Sequence, residues 1–421
     1  MRRTTSRRAV AVAVCFALLF AACGDDDDAA PGPSTTTTSG TAVECDFEGD
    51  EIPVGTQVAT GTVVGEQFVD FVPGVRARLE MENDAGGIDG RAFTIVEREA
   101  QLDPTTVTQN ATELVEQENV VALLSADPAQ PAAAQYLNER GLPVIGLAIN
   151  QVWGQFDNMS GFAGDTFPDV YAPPAPNSLF QLAVDELGAT TLASFGFAQS
   201  EESMASAQNV ATSWELSGGE AASVYEASFG ATDFTADAQR MLDDGIDALA
   251  GSITRDSFIQ LVLAARQAGV ELVFAQTPTG YEQTTLEQNG DELAGVYLGT
   301  GFAPFELERP GHQEFLDAME QYAPERPPRQ QVAMSGYLSA DVLIEAIKAA
   351  GNCPTREAIL EGVASLEGYD GRGLIEPWDV GAGQGIPQLC SWAVRVSDDG
   401  TAFEPQFDGE PQCLTVDDFQ R

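Results

Sequence analysis

Basic side chains are scarce in this chain. Lys348 is its only lysine and His312 its only histidine, and 20 Lys and Arg residues stand against 65 Asp and Glu, for a formal net charge of −45. A surface of that sign repels phosphate backbones and anionic headgroups, which excludes nucleic acid as a partner and excludes adsorption to a membrane surface. With one histidine, serine–histidine hydrolysis and two-histidine metal sites lack their parts. No G-x-x-x-x-G-K-[ST] occurs and the lone lysine falls within a predicted helix, so phosphate-cradling NTPase chemistry is excluded as well. There is no G-x-S-x-G elbow and no C-x-x-C pair, which removes the hydrolase elbow and argues against a zinc cluster. His312, in RPGHQEFL at a helix start, reads as a surface residue rather than a base. Carboxylates are too abundant for a paired-carboxylate glycosidase to be dismissed by counting, but nothing marks a particular pair. The reading is a protein without enzymatic activity, metal or cofactor.

The first 22 residues stand apart from the rest. Arg2, Arg3, Arg7 and Arg8 form a positive start, and Ala9–Ala22 is a small and apolar run too short to span a membrane stably. Ala21 and Ala22 directly before Cys23 resemble a bacterial lipobox, which would make Cys23 the lipidated first residue; ordinary secretory cleavage is the competing reading. Residues 23–44 contain GDDDDAAPGPSTTTTSGT, too polar to bury a core, and read as a solvated tether. Its Asp25–Asp28 run is a spacer rather than a metal site. Cys15 leaves with the signal. Cys45, Cys353, Cys390 and Cys413 remain, an even number in an exported chain, and four cysteines allow three connectivities.

The body begins near Ile52 with IPVGTQVA, a poor strand by propensity because of Pro53 and Gly55. A helix ends at MENDAGG, where paired glycines permit a left-handed cap, and Ala92–Glu99 follows as a strand. Asp103-Pro104 supplies an N-cap and a first-turn proline, and Val107, Ala111, Leu114 and Val115 make one apolar helix face. The apolar runs Val120–Leu124 and Val144–Ile149 flank another helix, giving a parallel α/β unit with right-handed crossovers. Residues Gln151–Pro176 read as irregular. From Asn177 a second series offers strands at Leu192–Phe197, Ser223–Phe229, Ala248–Ile253, Leu272–Ala275 and Val296–Leu298. Helices are predicted over Glu201–Leu216, Phe234–Asp244 and Ser257–Gln267, then His312–Tyr322, Tyr337–Ala349 and Arg356–Ser365, and a hairpin closes the chain.

Four segments carry a resemblance: NDAGGIDGR, DPTTVTQNATELVEQENVVALL, AQPAAAQYLNERGLPVIG and SGYLSADVLIEAIKAAG. None is specific alone, but in this order they resemble the type I periplasmic solute-binding proteins, leucine/isoleucine/valine branch, over roughly residues 51 to 376. The resemblance implies an α/β fold of two lobes, each a mainly parallel sheet flanked by helices, with three crossovers between them. Lobe one would take residues 45–172 and 304–368, and lobe two 173–303 and 369–421. The function implied is that of a solute-binding lipoprotein of an ABC importer, monomeric and held at the outer face of the cell membrane by its lipid alone. It would capture a branched-chain amino acid or similar small molecule and deliver it to a permease. A sensor of the same fold reporting to a receptor is the alternative, and a secreted enzyme the remote one.

The same implied fold places the ligand at the loops following the strands. Those loops offer Ser125, Ala126, Asp127, Ala148, Asn150 and Trp153 from lobe one, and Phe197, Gln199, Arg255, Thr277 and Tyr281 from lobe two. Asp127 and Arg255 would hold the two ends of a zwitterion, with Trp153, Phe197 and Tyr281 walling its apolar part. Each has a plainer reading: Asp127 as a helix cap, Arg255 as one of many surface ion pairs, and the aromatics as core. In the implied lobes, Cys45 and Cys353 both fall at the far edge of lobe one, and Cys390 and Cys413 flank the hairpin of lobe two. Cys45–Cys353 and Cys390–Cys413 are therefore the expected bridges, since neither tethers lobe to lobe.

Overall fold

A computed structural model describes residues 45–62, 64–162, 174–381 and 390–413, with backbone alone for Gln151 and Phe162. The signal, the tether with Cys23, and residues 163–173 of the first crossover lie outside the described residues.

The first sheet is wholly parallel. Its strands are β1 (Glu51–Val58), β2 (Ala92–Glu99), β3 (Ala122–Ala126), β4 (Val144–Leu147) and β5 (Met159–Phe162), in the order β2-β1-β3-β4-β5. Helices α1 (Phe71–Asp84), α2 (Pro104–Glu116) and α3 (Pro131–Glu139) connect them. The expected punctuation is in place. Asp103 accepts hydrogen bonds from the Thr105 and Thr106 N–H groups at 2.7 and 3.0 Å, and Gly86 and Gly87 after α1 have φ of 113° and 65°. Despite its proline, β1 lies inside the sheet: Pro53 forfeits a donor, yet its carbonyl still accepts from the Val121 N–H at 2.8 Å. Strand β5 corrects the reading of Gln151–Pro176 as wholly irregular. Its four residues contain Gly161 and carry no periodicity of their own, and pairing with β4 makes the strand.

The second sheet is mixed. It contains β6 (Thr191–Phe197), β7 (Ala221–Ala227), β8 (Ala248–Ser252), β9 (Phe274–Thr277), β10 (Tyr297–Thr300), β11 (Cys390–Val396) and β12 (Phe403–Pro405), in the order β12-β11-β10-β9-β8-β6-β7. The short β13 (Gln412–Cys413) pairs with β11. Pairing is parallel from β7 to β10 and antiparallel at β11 and β12. Its helices are α4 (Ser178–Asp185), α5 (Glu201–Leu216), α6 (Thr235–Asp243), α7 (Arg255–Ala268) and α8 (Gln283–Leu293). Helix α8, QTTLEQNGDEL, has a polar sequence with Gly290 inside it, and sequence periodicity does not reveal it.

Three helices, α9 (Pro310–Tyr322), α10 (Gln331–Ala349) and α11 (Arg356–Ser365), return to the first sheet, where α10 packs on α1, α11 and β3–β5. The approach of α1 and α10 is backbone to backbone. A Cβ added at Gly336 would sit 2.1 Å from the Phe71 carbonyl oxygen, and one at Gly74 would sit 1.8 Å from that of Ala333. Beside this contact Arg78, 1% exposed, donates from Nε to Asp341 Oδ1 at 2.6 Å and pairs with Glu82 at 3.0 Å. The Tyr369 hydroxyl, on the segment leading back toward the second sheet, donates to Asp341 Oδ2 at 2.9 Å.

His312 is a correction. It is buried, not superficial, because Nδ1 accepts from the Arg309 N–H at 3.0 Å and Nε2 bonds the Ala303 carbonyl at 2.7 Å, closing the start of α9. Cys45 is bonded to Cys353 and Cys390 to Cys413, with Cα atoms 5.5 and 3.9 Å apart.

The Gly336 contact generates a test. Gly336→Ala should destabilise the protein by about 1–3 kcal/mol, as overpacking between rigid backbones does. Denaturant unfolding measures it, and an unchanged midpoint would show that the helices part freely.

Candidate functional site

Both sheets reverse strand order at the same point. In the first, β1 connects outward to β2 while β3 lies on its other side; in the second, β6 stands in that relation to β7 and β8. In open α/β sheets the carboxyl ends at such a reversal leave a crevice, because successive connections depart to opposite faces. The two crevices here share one cleft of about 460 Å³. That lies within the roughly 300–1,000 Å³ common for small-molecule pockets.

The cleft is walled from both sides. Phe68, from the turn after β1, and Ile149 and Asn150 after β4 come from the first lobe, with Pro128 and Ala129 after β3. Phe197, Gln199, Phe229 and the Ser252–Thr254 segment come from the second. Phe197 is 4% exposed and Phe229 45%, with ring centroids 4.8 Å apart, so Phe229 presents open aromatic surface. Lone exposed aromatics of this kind matter where they line a concavity rather than a convex surface. Beneath them the serines bond to one another. The Phe197 N–H donates to Ser203 Oγ at 2.8 Å, Ser203 Oγ donates to the Ser252 carbonyl at 2.6 Å, and Ser206 and Ser252 hydroxyls lie 2.7 Å apart.

Of the residues expected from sequence, Asn150, Phe197 and Gln199 line this cleft together. Ser125, Ala126 and Asp127 are fully buried behind the wall, where Ser125 Oγ donates to Gln130 at 2.8 Å. Ala148 and Trp153, each 3% exposed, pack in the apolar cluster with Leu114, Leu137 and Val144. Thr277 is buried and bonds the Thr279 carbonyl at 3.3 Å. Tyr281, 1% exposed, donates to Glu306 at 2.6 Å and accepts from the Phe305 N–H at 2.7 Å, at the edge of a separate cavity away from both strand reversals. Arg255 borders a small cavity of 30 Å³ and is held by Glu282 at 2.6 Å and Asp256 at 2.9 Å. Asp127 and Arg255 are thus not brought together across the cleft. Gln67 and Phe68 border both spaces and were missed in the sequence, as were Phe229 and Ser203. Its place at the end of the predicted strand Ser223–Phe229 was the available signal for Phe229.

Asp127 is not the cap of α3 itself, which begins after Gln130. Its Oδ1 accepts from the Ala129 N–H at 2.8 Å, while Oδ2 is buried without a partner. Burial pushes this carboxyl up to about 6, against the pull of the Ala129 N–H. A carboxyl raised in the folded state is protonated more readily there than in the unfolded chain, so its charge costs stability as pH rises from about 4 through about 6. Asp127→Asn should therefore unfold at the same point as the parent near pH 4 and be more stable at pH 7, by up to ~3 kcal/mol. Thermal melts across that range measure the gap, and a gap that does not widen with pH would show that Asp127 is solvated.

Among the described residues, no group of three His, Cys, Asp or Glu could hold a metal ion, and no helix is long and apolar enough to cross a membrane. The family model for periplasmic binding proteins matches residues 51–401. No curated protein is matched by sequence. Several solved structures share the fold. A branched-chain amino acid ABC transporter protein of Thermus thermophilus with bound valine aligns with TM-score 0.74 at 16% identity, over 86% of this chain and 97% of its own. The LivJ substrate-binding protein of Streptococcus pneumoniae in complex with isoleucine gives 0.70 at 19%, over 84% and 99%. A fatty acid ABC transporter substrate-binding protein of Thermomonospora curvata gives 0.72 at 19%, over 86% and 93%. With two α/β lobes, paired strand reversals, and a family match over most of its length, this chain belongs to the periplasmic binding proteins and has their type I fold.

Proposed function

We propose that the chain is the extracytoplasmic solute-binding lipoprotein of an ABC importer, taking up a small solute with a polar head and an apolar body, of the size of a branched-chain amino acid or somewhat larger. The observation that carries this reading is the cleft itself, lined from both lobes at the two strand reversals, largely apolar with a few convergent polar groups. The solved relatives with isoleucine and valine support the amino-acid class, and the fatty acid protein shows that apolar bodies of other kinds suit the same fold. The lobes divide at residues 45–172 with 304–368 and 173–303 with 369–421, so that closing on the solute requires both. The closed shape is what the permease recognises. Cys23 carries the lipid that keeps the protein at the outer face of the cell membrane.

Two measurements test the reading. A thermal-shift screen of amino acids, amides and short organic acids should find a solute adding about 2.7 kcal/mol at a hundred times its dissociation constant. Ala132→Trp, on the exposed cleft face of α3, should abolish that gain by filling the space while leaving the ligand-free melting point in place. A gain that survives the tryptophan would put the solute elsewhere. Separately, Cys23→Ser should end lipid labelling and release the protein from the membrane; labelling that persists would refute the anchor.

A further inference from the structure

Among the described residues, two turns hold consecutive non-glycine residues in the left-handed region, where a β-carbon crowds the backbone. One is Gln101-Leu102, with φ of 50° and 61°, between the end of β2 and the start of α2. It is closed by the Asp103 N–H, which donates to the Ala100 carbonyl at 2.9 Å. Turns with both central residues at positive φ strongly favour Asn, Asp and Gly. The chain follows that preference at Asp89-Gly90, φ 51° and 82°, where Ile88 and Arg91 exchange both backbone hydrogen bonds at 3.0 Å. Glutamine and leucine do not meet it, so the turn at 101 and 102 is held against a local cost by its surroundings.

The second such turn, Phe407-Asp408, shows what can hold one. Phe407 packs on the apolar cluster that contains Phe180, Trp214 and Phe274, so contact with the core offsets its strain. Leu102 has no such compensation. It is partly buried, packs against none of the apolar clusters of the described residues, and lines the cleft. Its mount is firm on both sides. The Ala100 N–H donates to the Val58 carbonyl at 3.3 Å, and Asp103 caps α2. The wall from the second sheet carries a counterpart in Phe229, 45% exposed and likewise outside those clusters. Its turn is closed by the Ala231 N–H, which donates to the Ser228 carbonyl at 3.0 Å. Two apolar side chains that enter no core thus line one concavity, one from each wall.

We propose that Leu102 is a specificity-determining residue of the cleft, held in a strained turn so that its side chain, with Phe229, receives the apolar body of the solute. Solutes with a branched or aromatic body are then favoured over short ones. This rests on the solute-binding reading given above and deepens it. The apolar area that both side chains leave in water is covered only by a body large enough to reach them, so strain and selectivity meet at one residue.

Three substitutions separate strain from contact. Gln101→Gly eases the backbone at an exposed residue that does not line the cleft. Leu102→Asn eases the backbone and removes the apolar surface, because Asn enters the left-handed region more readily. Leu102→Met keeps both the strain and the surface. The probes are L-alanine, L-leucine and L-phenylalanine, then acetate, isovalerate and phenylacetate, titrated calorimetrically into the full folded protein. In the parent, the branched or aromatic member of at least one series should bind about tenfold more tightly than its short member. Leu102→Asn should weaken that member by about fivefold while the ligand-free melting temperature holds or rises. Leu102→Met should keep its affinity within about threefold of the parent. Gln101→Gly should raise the melting temperature by about 1–3 °C and leave affinity within about twofold. An affinity unmoved by Leu102→Asn, or lost equally in Leu102→Met, would overturn the role of Leu102 while leaving the cleft as the site. A Gln101→Gly protein that melts no higher than the parent would show a turn without strain and overturn the proposal likewise. Silence from all six probes in the parent would instead overturn the small-solute reading beneath it.

Discussion

The buried ion pair of Arg78 and Asp341 sits where three parts of the chain meet. Arg78 belongs to α1, Asp341 to α10, and the Tyr369 hydroxyl that completes the carboxylate belongs to the segment returning toward the second sheet. Both charged groups are 1% exposed, so neither can be left alone without a penalty of about 3–5 kcal/mol. Glycines at 74 and 336 let the two helices approach until backbone touches backbone, and the pair then fixes their register. That register reaches the binding region. Gln331, Val332 and Ser335 at the start of α10 face the small cavity shared with Gln67 and Phe68, so the inner end of the cleft is positioned by a contact well removed from it.

The cleft walls come largely from strand ends, turns and the first turns of helices, while the β-branched and aliphatic interior of each sheet does the folding. The serines of the second lobe satisfy one another in a chain from Phe197 to Ser252, a closed arrangement that holds the β6 and β8 ends together. Among the described residues of the lining, Asn150 Oδ1 and Gln67 Oε1 are buried without a partner. A rigid lining with few open valences is a selective one, since a mismatched head group finds no partner to rearrange.

Local chemistry made much of the fold legible. The Asp103-Pro104 start of α2, the glycine stop of α1, and the apolar runs of β3, β4, β6 and β8 each carry a signal within a few residues, and the structure follows them. The strands that escaped notice, such as β5, owe their form to a neighbour rather than to composition. The cleft was legible as a set of loops and not as a set of side chains. Asn150, Phe197 and Gln199 follow from their position after strands. Arg255 does not, because the Glu282 that claims it lies 27 residues further along, and no local pattern announces such a pairing. Tyr281 reads as a wall by type, yet Glu306 and the Phe305 amide draw its hydroxyl into the interior. What failed was long-range partner choice among abundant carboxylates.

The two disulfides each stay on one side of the cleft. Cys45 and Cys353 clasp the entry of the chain to the joint between α10 and α11, and Cys390 and Cys413 close the edge of the second sheet at β11 and β13. Covalent reinforcement of this kind hardens each half of the molecule without joining one half to the other. Oxidative folding and solute capture are thereby uncoupled: loss of a bridge under reducing conditions weakens one half against unfolding, typically by about 2–5 kcal/mol in small domains, while the geometry that meets the solute keeps its shape. The entry clasp also sets a mechanical path. Tension arriving along the chain ahead of Cys45 divides between β1 and the α10–α11 joint, both fastened to the first sheet, so it loads that half of the molecule first.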